Sequence, residues 1–361
     1  MPSKEEEKPS LLLDGLAPCL GEVYACAAGL TAKSQLCPLS INLMKAHLTY
    51  SVREVAPYIN WIYYFHAWGM EPRFAAVADV HQCPACRASW IASFPTDEQA
   101  KAREAMKLYD EATQLLRQWA DEPVCHALFL LAEAYSEGDD IIVNGDTRLP
   151  FLRQQHAGKA GYTLCLSDFI REKKSKDLRT SFGTPPPLQG TPSINRGGVV
   201  DIANTIGVFA TTVSLPSEEL STLNFQLSTL SDRLAEATAE KMHEEVRKHY
   251  WGYAKEENLT MQELHAERFQ GIRPAVGYPS LPDQSINFLL DQLLDFKEIG
   301  INLSENGAMH PHCSVSGLMF AHPKAQYFAV GNISEEQLAD YAQRRGIDSC
   351  QAKRFLASVI H

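Results

Sequence analysis

Apolar residues recur at helical spacing in several stretches of this chain. Ala105, Leu108, Ala112, Leu115 and Leu116 mark one face of a helix predicted over Asp97 to Trp119, with Thr96 as its cap and acids in its first turn. Leu220, Leu223, Leu227, Leu230 and Leu234 form the stripe of a second, predicted over Ser217 to Tyr250. Ile286, Leu289, Leu290 and Leu293 define a third, capped by Asp283. Thr260-x-x-Glu263 and Ser334-x-x-Gln337 are capping boxes for two more. Other segments read as strands. Val124 to Tyr135 turns at Gly138-Asp139-Asp140 into Ile141 to Val143, its antiparallel neighbour. Leu166 to Ile170 reads as a short strand, and Ala308 to Phe320 and Gln326 to Val330 alternate like strands of one sheet. Val199 to Val213 is apolar and reads as partly helical, interrupted by Asn204 and Thr205, while aromatic-rich Tyr58 to Trp68 reads as a buried helix or turn. The pattern predicts an α+β fold, a twisted antiparallel sheet with helices packed around it.

Three stretches stand apart. Residues 1–10 are polar and acidic and read as a disordered leader. Residues 11–50 are apolar, carry Cys19, Cys26 and Cys37, and read as an N-terminal extension. Residues 171–198, rich in Lys, Pro, Gly, Thr and Ser, read as a loop insertion. Within it Arg196-Gly-Gly198 has neither dinucleotide nor P-loop spacing.

Composition narrows the function classes. Of 361 residues, 33 are Lys or Arg and 44 are Asp or Glu, a net charge of −11 that argues against nucleic acid or an anionic membrane as partner. No apolar run is long enough to span a bilayer, and the first residues are not a signal peptide. Nine scattered cysteines then point to free thiols in a reducing cytoplasm.

Four clusters are candidates for chemistry. Asp79-Val-His81-Gln-Cys83-Pro-Ala-Cys86 places Pro84 where a cobalt-ligand motif needs glycine. Cys83-x-x-Cys86 lacks a second matched pair, so reduced structural thiols are expected rather than zinc or a redox couple. Asp139 and Asp140 suit a turn better than an acid pair. Asp232 and Glu236, four apart, project from one helix face, which by spacing alone is a solvated face. Gly271 to Asp283 holds three prolines and two glycines, an elbow that is neither helix nor central strand. Arg273 adds a guanidinium fork suited to a carboxylate and Tyr278 a flat ring with a polar tip. By spacing alone this too is an ordinary proline-rich loop.

The wider context changes that. Arg273-Pro-Ala-Val-Gly-Tyr-Pro279, Ser314-Val-Ser-Gly317, His322-Pro323 and Tyr327-Phe-Ala-Val330 follow in order. Before them come Tyr58 to Trp68, Gly138 to Val143, Leu152 to Gln155, Leu166 to Ile170, Ile206 to Thr212 and Ser231 to Ala254. This series, covering about residues 51–361, closely resembles the S-adenosylmethionine-binding activation domain of cobalamin-dependent methionine synthase. The resemblance implies a C-shaped single domain with the donor bound shallowly near its inner edge. It assigns Arg273 to the donor's carboxylate and Glu236 to its positive end. Backbone groups of Ala275 and Gly277 would hold the adenosine, and Tyr327 would stack on it or hydrogen-bond to it. Tyr278 would sit against the corrin and Asp232 would meet a partner histidine. Three positions depart from the family. Asn60 replaces an acid, Phe328 replaces the second of two tyrosines, and His310-Pro-His312-Cys313 replaces Trp-Pro-Gly-Ala. The last offers two histidines and a thiol, though a polar strand-entry turn is the expected reading and no resident metal is assigned.

The function implied is that of a stand-alone reactivation subunit in methionine biosynthesis, a component of a methyltransferase. It would use S-adenosylmethionine to support reductive methylation of cobalamin carried by a partner module, with a flavodoxin or other reductant supplying the electron. No catalytic acid or base is expected, because positioning is the main work. The alternative is a docking or chaperone module for a corrinoid protein that does not use S-adenosylmethionine, which Asn60 and the His310 to Cys313 turn favour. A third reading, a cysteine/histidine protein that handles metal or corrinoid, is weaker.

Overall fold

The computed structural model describes residues 44–157, 161–173, 202–214 and 225–360. The expectations for residues 1–10, for most of 11–50 and 171–198, and for Leu220 and Leu223 lie outside these.

β1 (Met44–Tyr50) is followed by α1 (Val52–Val55), α2 (Trp61–Ala67), α3 (Pro84–Ala92) and α4 (Gln99–Gln118). The helix predicted from Asp97 starts at Gln99, after a turn that uses Thr96. β2 (Cys125–Glu137) is the long central strand. β1 pairs antiparallel with its first half, Met44 against Leu131 and Tyr50 against Cys125. The sheet therefore begins seven residues before the expected boundary at residue 51. β3 (Asp140–Val143) folds back on the end of β2, β4 (Thr147–Pro150) pairs with β3, and β5 (Thr205–Val213) pairs with β2 from Cys125 to Glu133. α5 (Phe225–Glu245) continues into a π-helical turn, Val246–Tyr250, and α6 (Met261–His265) and α7 (Asn287–Leu294) follow. β6 (Asn302–Leu303) and β7 (Met309–His310) form a separate ribbon, and β8 (Ser314–Met319) lies beside β5. α8 (Glu335–Arg345) and α9 (Ser349–Phe355) close the chain.

The sheet divides two cores. Along β2, Cys125, Ala127, Phe129 and Leu131 face one, and Leu128, Leu130, Ala132 and Ala134 face the other. β5 sends Phe209 and Val213 to the first and Ile206, Val208 and Ala210 to the second. Both faces are thus apolar, and the two-residue period vanishes into a continuous run. That is why Val199 to Val213 reads as partly helical although Thr205–Val213 is a strand throughout. α5 covers the first face with Leu230, Leu234, Ala235 and Met242, and α7 covers the second with Leu290 and Leu294. Each large side chain so enclosed contributes about 1.5–3 kcal/mol. A third cluster under α8 and α9 holds Leu152, Val330, Leu338 and Tyr341.

Two other strand expectations fail. Leu166–Phe169 is a 3-10 turn, because Asp168 accepts the Cys165 N–H at 2.9 Å and is gripped by Arg153. Gln326 to Val330 joins no strand ladder; Val330 N–H donates to the Pro279 carbonyl instead, at 2.9 Å. Ala308 to Phe320, predicted as a single strand, is split into β7 and β8, which lie in different sheets.

Candidate functional site

α5 carries Asp232, Glu236, Glu240 and Glu244 at intervals of four, an acidic stripe on the face opposite its apolar one. The elbow lies across from it. Residues 272–276 run antiparallel beside β8 as an added edge. Ile272 and Phe320 exchange N–H···O bonds at 3.0 and 2.9 Å, Leu318 N–H donates to Pro274 O at 3.0 Å, and Val276 N–H donates to Ser316 O at 2.9 Å. This contact requires Gly317, where a Cβ would stand 2.2 Å from the Pro274 oxygen. Gly277, at φ +89°, donates to Leu281 O at 2.8 Å and closes the turn that presents Tyr278.

Charge is concentrated where helix and elbow meet. The Arg273 side chain is only 10% exposed and pairs with Glu240. Its Cζ lies 5.5 Å from the Phe209 ring centre, and its backbone N–H donates to the Tyr327 hydroxyl at 2.9 Å. Burial works against the charge on Arg273, but Glu240 more than offsets it, so the guanidinium is held protonated even more firmly than usual. One turn away, Arg233 donates to Glu236 at 2.7 Å and the Tyr278 hydroxyl does so at 3.3 Å. Burial pushes the Glu236 and Asp232 carboxyls up from their ordinary range, with Arg233 pulling both back. An open cavity of about 240 Å³ is lined by Asp232, Arg233, Glu236, Val276, Tyr278 and His312, among others. Three buried side-chain atoms at this contact have no hydrogen-bond partner: Arg233 Nε, Glu240 Oε2 and Arg273 Nε.

The structure brings Asp232, Glu236 and Tyr278 to this cavity and sets Arg273 and Tyr327 beside them on Glu240 and the elbow. Ala275 and Gly277 shape the turn: the Ala275 carbonyl accepts the Tyr278 N–H at 3.3 Å. Asn60 is not among the residues lining this cavity. It caps α2, three residues before Tyr63, its side-chain oxygen accepting from Ile62 N–H at 3.1 Å, and it lines a second cleft of about 1100 Å³ with Trp61, Tyr109 and His265. Phe328 is half-buried, its ring 6.5 Å from Phe169 and packed against the second core. Sequence reasoning missed Glu240, Arg233 and Tyr63. Glu240 could have been found by extending the Asp232–Glu236 spacing one more turn. Burial and then Glu236 push the Tyr278 hydroxyl up, and Tyr63, 57% exposed on α2, adds a smaller push in the same direction; only the fold brings the two tyrosines together.

The other candidates resolve plainly. Asp140 is buried between Arg148 and Arg344, and Asp139 pairs with Arg153, so the adjacent acids are structural ties at a turn. His310 and His312 have ring centres 4.8 Å apart, but Cys313 is buried and its thiol donates to Val213 O at 3.4 Å. Cys83 and Cys86 are not core thiols, the first half-exposed and the second exposed.

A curled antiparallel sheet covered on both faces, with a proline-glycine elbow set against an acidic helix, defines an α+β activation-type domain. The family profile described as the activation domain of vitamin B12 dependent methionine synthase matches residues 51–346, and the chain belongs to that family. A solved structure described as the MetH reactivation domain bound to AdoHcy is similar over 90% of this chain and 92% of that one, at 31% sequence identity and a TM-score of 0.68. Among the described residues no helix is long and apolar enough to cross a membrane.

Proposed function

We propose that the cavity between α5 and the elbow binds S-adenosylmethionine. The chain would then support reductive methylation of cobalamin held by the cobalamin-binding module of a methionine synthase, acting in trans. The observation that carries this reading is the pair of half-buried carboxylates, Asp232 and Glu236, facing the cavity with raised pKa values. A sulfonium or ammonium placed there would relieve the cost of ionising them. Beside the cavity, though not in its lining, Arg273 Nε and Glu240 Oε2 are buried without hydrogen-bond partners, capacity that the amino-acid end of such a ligand would reach once these side chains shift. The AdoHcy of the similar solved structure shares the nucleoside, ammonium and carboxylate of that ligand, with a neutral thioether in place of the sulfonium.

Each residue then has a task. Glu236 holds the cationic end, and Glu240 keeps Arg273 extended toward the donor's carboxylate. Ala275 and Gly277 offer backbone groups to the adenosine, and Tyr327 braces the elbow through Arg273 N–H. Exposed Tyr278 and Tyr63 give a flat, polar-tipped surface for a large planar partner. Asp232 and exposed His312 sit at the cavity wall, where a partner's histidine could reach them. When bound, the donor supplies a methyl cation equivalent, and a flavodoxin or another reductant supplies the electron. Calorimetric titration of the chain with S-adenosylmethionine tests this, with saturable binding expected.

A second reading has its own support. Asn60 spends its oxygen on its own helix, Arg273 is already paired with Glu240, and Phe328 is packed inward. On that reading the chain grips a corrinoid protein without using the donor. Binding to a cobalamin-loaded module, unchanged by S-adenosylmethionine and with no heat from the donor alone, is its expected signature.

A further inference from the structure

Between the 3-10 turn Pro72–Asp79 and α3 the chain runs His81-Gln-Cys83-Pro-Ala-Cys86. Cys83 is the N-cap of α3, and Pro84 falls at its start. The Cys86 N–H donates to Cys83 Sγ at 3.3 Å, and the Cys83 N–H donates to His81 Nδ1, also at 3.3 Å. The proline-stiffened knuckle thus holds the first thiol in an N–H···S bond and draws the imidazole onto the same side. One ligand atom from each of the three residues lies within 4.8 Å of the other two. None of the three lines the cavity at α5. Nor does packing explain the thiols, since α3 buries none of its residues. The nearest strong cation, Arg87, is taken up by Asp110 and Gln82 and leaves the knuckle free of a competing charge.

We propose that His81, Cys83 and Cys86 bind one zinc ion at the start of α3, through two thiolates and one imidazole, with the fourth position open to water. Soft sulfur donors with an imidazole select zinc over the oxygen-seeking magnesium and calcium. Bond lengths of about 2.3 Å to sulfur and about 2.0 Å to nitrogen put the three tetrahedral donor atoms roughly 3.5–3.8 Å apart. The present spread closes to that by rotation of the exposed His81 and Cys86 side chains and the half-exposed Cys83. Binding breaks two S–H bonds and forms two Zn–S bonds; the two protons pass to buffer, and the two thiolate charges neutralise the dication. His81 ligates through Nδ1, which gives up its backbone hydrogen bond and leaves Nε2–H to solvent.

The test uses the full chain, reduced with a phosphine, loaded with zinc, desalted and assayed for metal by mass spectrometry, with Co²⁺ as a spectroscopic probe. Cys83→Ser keeps an N-cap oxygen and should fold normally by circular dichroism. Wild type is expected to retain about one zinc, and its Co²⁺ form to show thiolate-to-metal charge transfer. Cys83→Ser and the double variant Cys83→Ser/Cys86→Ser should lose both signals, with affinity down roughly 100-fold or more. Cys350→Ser, an exposed thiol elsewhere, should change neither. Equal zinc retention in wild type and the double variant overturns the proposal, as does a Co²⁺ spectrum free of charge transfer.

Discussion

At the scale of single residues, Arg273 and Glu240 decide the character of the site. Arg273→Ala removes the expected carboxylate anchor and also strands Glu240. Glu240→Gln leaves the guanidinium in place and frees it for a ligand. S-adenosylmethionine affinity should therefore fall about 10–100-fold in Arg273→Ala, a loss of one charge-assisted contact, and change less in Glu240→Gln. Equal losses in calorimetric titrations of the two variants would show that Arg273 acts only as Glu240's partner. The neighbouring carboxyls add a pH signature. Asp232 and Glu236 have folded pKa values above their ordinary 3.8 and 4.5, mainly through burial. Their neutral forms favour the fold, a contribution present below the ordinary values and lost as pH rises through the raised ones. A cation in the cavity reverses that loss. Donor affinity should rise with pH across the window just above those ordinary values and then level off. A Glu236→Gln variant should flatten the rise.

At the scale of elements, the elbow is rigid because it is stitched to β8, not because it contains prolines. Gly317→Ala would push a methyl group into the Pro274 carbonyl and part the two strands. It should destabilise the chain by about 1–3 kcal/mol in urea denaturation and weaken donor binding at the same time. The end of α5 rests on a different tie. Arg247 is fully buried, donates to Glu257 at 3.0 Å through Nε, and stacks 4.2 Å from the Phe269 ring centre. Glu257→Ala would leave that guanidinium uncompensated, an expected loss of about 3–5 kcal/mol in the same assay. The element types were legible where one face was polar. α4 and α5 show a clean apolar stripe, and the capping box at Thr260 bonds in both directions as the sequence predicts. At Ser334 only the cap itself forms: its hydroxyl accepts the Gln337 N–H, while the Gln337 side chain donates to Arg153 O instead of closing the box. β5 and the 3-10 turn at Leu166 were misread because total burial and side-chain capping hide the period.

At the scale of the whole molecule, ligand and fold are linked through the sheet. The elbow edges β8, α5 covers the adjoining core, and the site forms where they meet. A ligand that binds only this arrangement stabilises it by about 2.7 kcal/mol at 100 times its dissociation constant. Thermal melts should shift upward with S-adenosylmethionine and shift less in Arg273→Ala at the same concentration; an unmoved wild type favours the docking reading.

The sequence by itself determined the α+β class, the main helices, the place of the proline-glycine elbow and, through an ordered series of motifs, the family. Those depend on local periods and turn chemistry, which neighbouring residues write directly. Only the tertiary structure decided that Glu240 takes Arg273, that Asn60 faces another cleft, that Phe328 turns inward and that Tyr63 joins Tyr278. Each of those depends on which surfaces a twisted sheet brings face to face, and no spacing along the chain encodes a distance across it.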